Sequence, residues 1–281
     1  MATQTTVITP TNSQERRRTK RSIITFVVLA FALSSIGYTA TIASGEASVL
    51  LVIAPALAAL ITRYLYQRNV RGFAWQRPDL RSAISAYLLP FVVSGSMFIV
   101  AWVAFGYYTT DNTDTGVLQG LAVSATVGFL AAAVFGFGEE LGWRGFMVPE
   151  LAKITNFTNV ALISGAIWAL WHWPLILFAA EVTDFDKTPA WFTLPVFSIT
   201  IVAAGVVMAW LTLKTLSIWP AVILHGSQNA ITQGFFAEYT TEDGNSAYFV
   251  SEVGGLIAIA WVAAAYLFWR KRHVLSLGDS R

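Results

Sequence analysis

Eight apolar stretches follow one another along the chain, at about 23–43, 47–66, 83–106, 117–141, 158–180, 191–213, 219–237 and 248–269. Each has roughly the 20 residues needed to cross a bilayer. In lipid every backbone N–H and C=O must be satisfied inside the span, which leaves helices for segments of this kind. The pattern predicts an all-α membrane protein with about eight transmembrane helices. The fourth stretch is expected to continue as a partly interfacial helix towards Leu151. Pro55, Pro90, Pro174 and Pro195 fall inside spans, where membrane helices tolerate them. Pro220 opens the seventh, where a missing N–H costs little. Hydrophobic residues make up 56% of the chain and charged residues 12%, about half the charged share of a soluble domain.

No shift in composition marks a second domain. The chain divides into a polar, basic N-terminal segment (1–22), one polytopic membrane domain (23–269) and a basic tail (270–281). Glu15 to Arg21 resembles the front of a signal peptide, and Thr41 to Ala43 a weak cleavage site. The 23–43 run is longer than a signal core of about 7–15 residues, so it is read as an uncleaved first span. The chain has no cysteine, which excludes disulfides, thiolate ligands and a cysteine nucleophile. Neither an internal repeat nor a low-complexity segment is evident.

Basic residues set the expected orientation, because cytoplasmic loops collect them. With eight spans, one face holds sixteen. They are Arg16, Arg17, Arg18, Lys20, Arg21, Arg63, Arg68, Arg71, Arg77, Arg81, Lys153, Lys214, Arg270, Lys271, Arg272 and Arg281. The opposite loops hold only Lys187, together with acids such as Glu46, Asp111, Asp114, Asp184, Glu238, Glu242, Asp243 and Glu252. Both termini are therefore expected to be cytoplasmic. Net charge is +2, and no nucleic-acid partner is expected.

Against this apolar background, Glu139, Glu140 and Arg144 stand out, since a charge in a span costs several kcal/mol unless paired or hydrated. Glu140 and Arg144 are four residues apart, on one helical face, in the favourable acid-first order. A guanidinium can hold a carboxylate by two parallel hydrogen bonds. This pairing occupies Glu140 and leaves Glu139, about 100° round the helix, free to act as a general base. His172 lies near the middle of the fifth span. His225 and Asn229 share a face of the seventh. Taken singly, a histidine or asparagine in a span is often interhelical glue. Trp143, Trp168, Trp171 and Trp173 read as packing or interface residues.

Together these residues resemble the CPBP intramembrane proteases, a family that includes CAAX prenyl endopeptidases and bacteriocin-processing or self-immunity proteins. The family's Glu-Glu-x-x-x-Arg corresponds to Glu139-Glu140-Leu141-Gly142-Trp143-Arg144. Its Phe-x-x-x-His corresponds to Trp168-Ala169-Leu170-Trp171-His172, with Trp168 replacing Phe. Its His-x-x-x-Asn corresponds to His225-Gly226-Ser227-Gln228-Asn229. The resemblance covers about 117–237. It implies an eight-helix fold and peptide-bond hydrolysis within the membrane. Carried over, Glu139 and His172 activate a water, His225 and Asn229 stabilise the oxyanion, and Glu140 and Arg144 support the site. The family is often called metalloprotease, and one glutamate with two histidines suits an open zinc site. No His-Glu-x-x-His is present and asparagine is a poor zinc ligand. A metal-free mechanism is therefore favoured, with zinc on Glu139, His172 and His225 as the alternative.

The expected partners are the lipid bilayer and a peptide or lipidated-peptide substrate, such as a CAAX-type prenylated peptide or a leader peptide. The expected location is the plasma membrane of a prokaryote. A non-proteolytic scaffold of the same family, in toxin immunity or sensor-kinase regulation, is the alternative function. A proton-coupled transporter is disfavoured by the motif order. The oligomeric state is left open.

Overall fold

The computed structural model describes residues 12–183, 185–242 and 245–275. Asp184, Asp243 and Arg281 of the charge pattern, and parts of both terminal segments, lie outside them. The described residues form eight helical columns: α1 (Ser13–Ser44), α2 (Val49–Tyr66), α3 (Leu80–Phe105), α4 (Val117–Ala152), α5 (Phe157–Phe178), α6 (Ala190–Thr215), α7 (219–236) and α8 (Gly255–Arg270). Columns α1 to α6 are long and apolar enough to cross a membrane. Column α7 carries the polar residues His225, Ser227, Gln228, Asn229 and Gln233, and α8 has 16 residues.

Local chemistry explains the boundaries. Asn12 and Glu15 form a reciprocal capping box at the start of α1, so the helix begins well before the apolar run does. Gly45, at φ 70°, closes it in the left-handed conformation that glycine adopts without steric cost. Asp79 caps α3 by accepting from the Ser82 hydroxyl and N–H. These bonds hold its carboxyl below the ordinary aspartate range. The cap's contribution is therefore present above that range and is lost as pH falls through the lowered value. Pro55, Pro90, Pro174 and Pro195 lie within helices, and Pro220 in the first turn of α7. Column α4 continues unbroken to Ala152, widening to π-type turns over Leu141–Met147. Such turns are frequent at functional sites.

The helix ends meet at two faces. On one, Arg16 donates to the Ile154 carbonyl at 3.0 Å, Arg63 pairs with Glu150 at 3.5 Å, and Trp75 bridges to Ser217. On the other, Tyr108 bridges to Thr240 and Lys187 pairs with Glu242 at 3.0 Å. The sixteen-residue basic set belongs to the first face wherever it is described. Arg63 does more there than mark topology: it is buried, held by Glu150, with its guanidinium 5.3 Å from the Phe73 ring.

Column α1 is an integral part of the bundle. Phe26 packs edge-on to Trp143, and Ser34 accepts from the Trp171 indole at 2.7 Å. Trp143, Trp171, Phe146 and Phe197 fill the interior around α4, α5 and α6. Columns α4 and α7 touch backbone to backbone. A Cβ at Gly226 would lie 2.7 Å from Ala133, so a larger residue there forces the two site-bearing helices apart.

Candidate active site

Glu139, His172, His225 and Asn229, from α4, α5 and α7, line one cavity of about 200 Å³. Residues from three separate stretches of sequence thus converge on one space within the bundle.

Each group is held by a specific neighbour. Glu140 accepts from Arg144 at 2.9 Å, and both are fully buried. The pair was legible from its spacing, but its form differs. A single hydrogen bond joins them, and Glu140 Oε2 and Arg144 Nε have no partner among the described residues. The reason is that Glu140 Oε1 also accepts from His225 Nδ1 at 2.9 Å. One carboxylate oxygen thereby ties α7 to α4. The glycine one turn before Glu140 makes room for this: a Cβ at Gly136 would sit 3.1 Å from His225 Cγ.

Glu139 is not the unpartnered acid its position suggests. Its Oε2 accepts from the Trp168 indole N–H at 2.9 Å, leaving Oε1 for another donor. Trp168 is the hub of the site. Its carbonyl accepts from His172 Nδ1 at 3.0 Å, and its ring lies 3.9 Å from the Arg144 guanidinium. It also meets the His225 ring at 5.6 Å. The phenylalanine of the family motif has no N–H to give. The Trp in place of Phe was the visible signal, although a packing role gave no reason to expect the bond.

The tautomers follow from the acceptors. A carbonyl and a carboxylate only accept, so Nδ1 is the donor on both rings. On neutral His172 this leaves Nε2 as the acceptor, on a ring that lines the cavity. Trp168, Trp171 and Phe197 meet its ring edge-on at 5.7, 4.8 and 5.1 Å, which fixes its orientation. Gln228 also lines the cavity, and its Oε1 accepts from Ser94 at 3.0 Å. Its place next to Asn229 in the His225–Asn229 run was the available clue.

Among the described residues no three His, Cys, Asp or Glu side chains are grouped so as to hold a metal ion. Glu139, His172 and His225 do not form such a set in this arrangement.

A bundle of apolar helices around a buried glutamate–histidine cluster defines an integral membrane protein. Residues 121–231 match the family model of the Type II CAAX prenyl endopeptidases, Rce1-like, and so the resemblance read from the three motifs is shown over that stretch. A curated CAAX prenyl protease 2 of Methanococcus maripaludis is 32% identical over 152 residues, 53% of this chain and 51% of that protein. The chain thus spans about half the length of the curated relative it matches. All seven motif positions fall inside the matched 121–231.

Proposed function

We propose that this protein is an intramembrane endopeptidase that hydrolyses a peptide bond of a membrane-associated substrate by a glutamate-dependent, metal-free mechanism. The observation that carries this reading is the single cavity shared by Glu139, His172, His225 and Asn229. Glu139 Oε1 takes the proton of an attacking water while His172 Nε2 orients that water's second hydrogen. The water oxygen adds to the carbonyl carbon, and the resulting oxyanion receives hydrogen bonds from Asn229 and His225. Such donors are worth about 2.7–4 kcal/mol each. Glu139 then returns the proton to the leaving amine.

His225 carries a constraint that the motif alone does not reveal. With Nδ1–H committed to Glu140, it presents an N–H at Nε2 only as the imidazolium. Charge balance favours that form. Two carboxylates and one guanidinium leave the cluster one negative charge in excess, and the imidazolium cancels it.

The proposal extends to eight crossings with both termini cytoplasmic, from the split of basic residues between the two faces. A single cysteine introduced as Asn245→Cys is expected to react with impermeant reagent from the outside of intact cells. Reaction from the cytoplasmic side only would overturn the orientation. The metal-free mechanism predicts substoichiometric zinc in purified protein and activity that survives a strong chelator. Stoichiometric zinc lost in both His172→Ala and His225→Ala contradicts it.

Trp168→Phe tests the hub. A hydrogen bond to a charged group contributes about 1.5–3 kcal/mol, so losing the N–H is expected to lower kcat/KM by roughly 10- to 150-fold with the fold retained. Unchanged kinetics would reduce Trp168 to packing.

A further inference from the structure

One side chain on the cavity wall is held by only one of its two polar ends. Gln228 Oε1 accepts from the Ser94 hydroxyl at 3.0 Å, and Ser94 Oγ accepts from the Trp261 indole N–H at 3.2 Å. An indole nitrogen only donates, so the donors run in one direction, from α8 through α3 to α7. Ser94 and Trp261 are both fully buried. Serine and threonine inside a helix often give their hydrogen to the carbonyl four residues back, as Thr126, Ser198 and Thr200 do here. Ser94, in the π-type turn Phe91–Gly95, gives its own to Gln228 instead.

The neighbouring contacts fix the same register. Ser227 Oγ donates to the Tyr87 carbonyl at 2.7 Å, so two consecutive residues of α7 are tied to α3. A Cβ at Gly95 would lie 2.9 Å from the Phe236 ring, which holds α3 close against the end of α7. Ser94 and Trp261 both lie outside the matched 121–231. With Oε1 occupied, Nε2 is what Gln228 has left to offer. Neither of its hydrogens has an acceptor among the described residues, and the nitrogen is not sealed in protein. A role as interhelical glue accounts for the bond to Ser94. It does not account for a free donor on the wall shared by Glu139, His172, His225 and Asn229.

We infer that Gln228 is a substrate-binding residue whose Nε2 donates to a main-chain carbonyl oxygen of the bound peptide beside the one being hydrolysed, with Ser94 and Trp261 as positioning residues. This rests on the peptidase reading and adds a contact to it. A group that only donates needs an acceptor, and a peptide main chain offers one at every residue. Successive helical residues are turned by about 100°, so Gln228 and Asn229 fall on either side of His225 round α7. His225 and Asn229 serve the oxyanion, and Gln228 meets a different oxygen. The contact reads backbone and not side chain, so it sets the register of a peptide without selecting its sequence.

The test uses purified protein in vesicles and an internally quenched, prenylated CAAX-type peptide. Gln228→Met removes the amide, and Gln228→Glu keeps an acceptor for Ser94 while removing the N–H. Both are expected to raise KM by about 2- to 10-fold, the size of one neutral hydrogen bond, with kcat little changed. Ser94→Ala and Trp261→Phe free the amide to turn and are expected to shift KM the same way by less. If Gln228→Met does not fold, Gln228→Glu carries the comparison, since its bond to Ser94 survives. Replacing the carbonyls beside the scissile bond with methylene, one at a time, is expected to raise KM at one position in wild type and not in the Gln228 variants. A merely structural glutamine gives additive losses at every position. That result, or an unchanged KM in both Gln228 variants, overturns the inference and leaves the peptidase standing. A fall in kcat with KM unchanged overturns it too, by placing Gln228 on the oxyanion. Absence of Glu139-dependent cleavage by the wild type overturns the peptidase reading itself.

Discussion

Glu139→Gln is expected to abolish cleavage while leaving folding close to wild type. Removal of a general base typically costs about 10²–10⁴-fold in rate, and the amide has no proton affinity comparable to a carboxylate. Its carbonyl oxygen can still accept from the Trp168 indole, which bonds Glu139 at 2.9 Å, so the contact between α4 and α5 survives. The check is peptide hydrolysis by purified protein in vesicles, beside its thermal unfolding midpoint. Cleavage above roughly a tenth of wild type would contradict the base assignment.

Arg144→Ala is expected to damage folding as well as activity. Arg144 is buried against Glu140 at 2.9 Å and its guanidinium covers the Trp168 ring at 3.9 Å. Removing it leaves the Glu140 carboxylate with His225 alone. Breaking a buried pair by deleting one partner typically costs about 3–5 kcal/mol, a large part of a marginal stability. Arg144→Lys keeps the charge but gives up the planar stack on Trp168, and is expected to fall between. Yield, thermal midpoint and cleavage measured together check this. A fully stable, correctly inserted Arg144→Ala protein would show that Glu140 does not need its partner.

Much of this was legible because it is local. Hydropathy located the six columns that are long and apolar enough to cross a membrane, and i,i+4 spacing identified the Glu140–Arg144 pair. Hydropathy marks lipid, however, and not helix ends. Column α1 extends back to Ser13 because Asn12 caps it within the polar segment. The last column starts at Gly255 and not at 248, with Ser246–Phe249 forming a separate short helix before Gly254 and Gly255. What sequence could not reveal is contact between helices. The Trp168–Glu139 and His225–Glu140 bonds join residues 29 and 85 positions apart. No periodicity links such residues. The same limit hid the sharing of one Glu140 oxygen by Arg144 and His225, and with it the protonation that His225 needs as a donor.

The central claim is that this chain cuts membrane-bound peptides with Glu139 as base. The most direct measurement compares new carboxyl termini in host membranes carrying either the wild-type protein or Glu139→Gln at equal abundance, by quantitative mass spectrometry in ¹⁸O-labelled water. The account predicts one or a few peptide termini that carry ¹⁸O in wild type and vanish in Glu139→Gln. Identical sets of termini in the two membranes would contradict it.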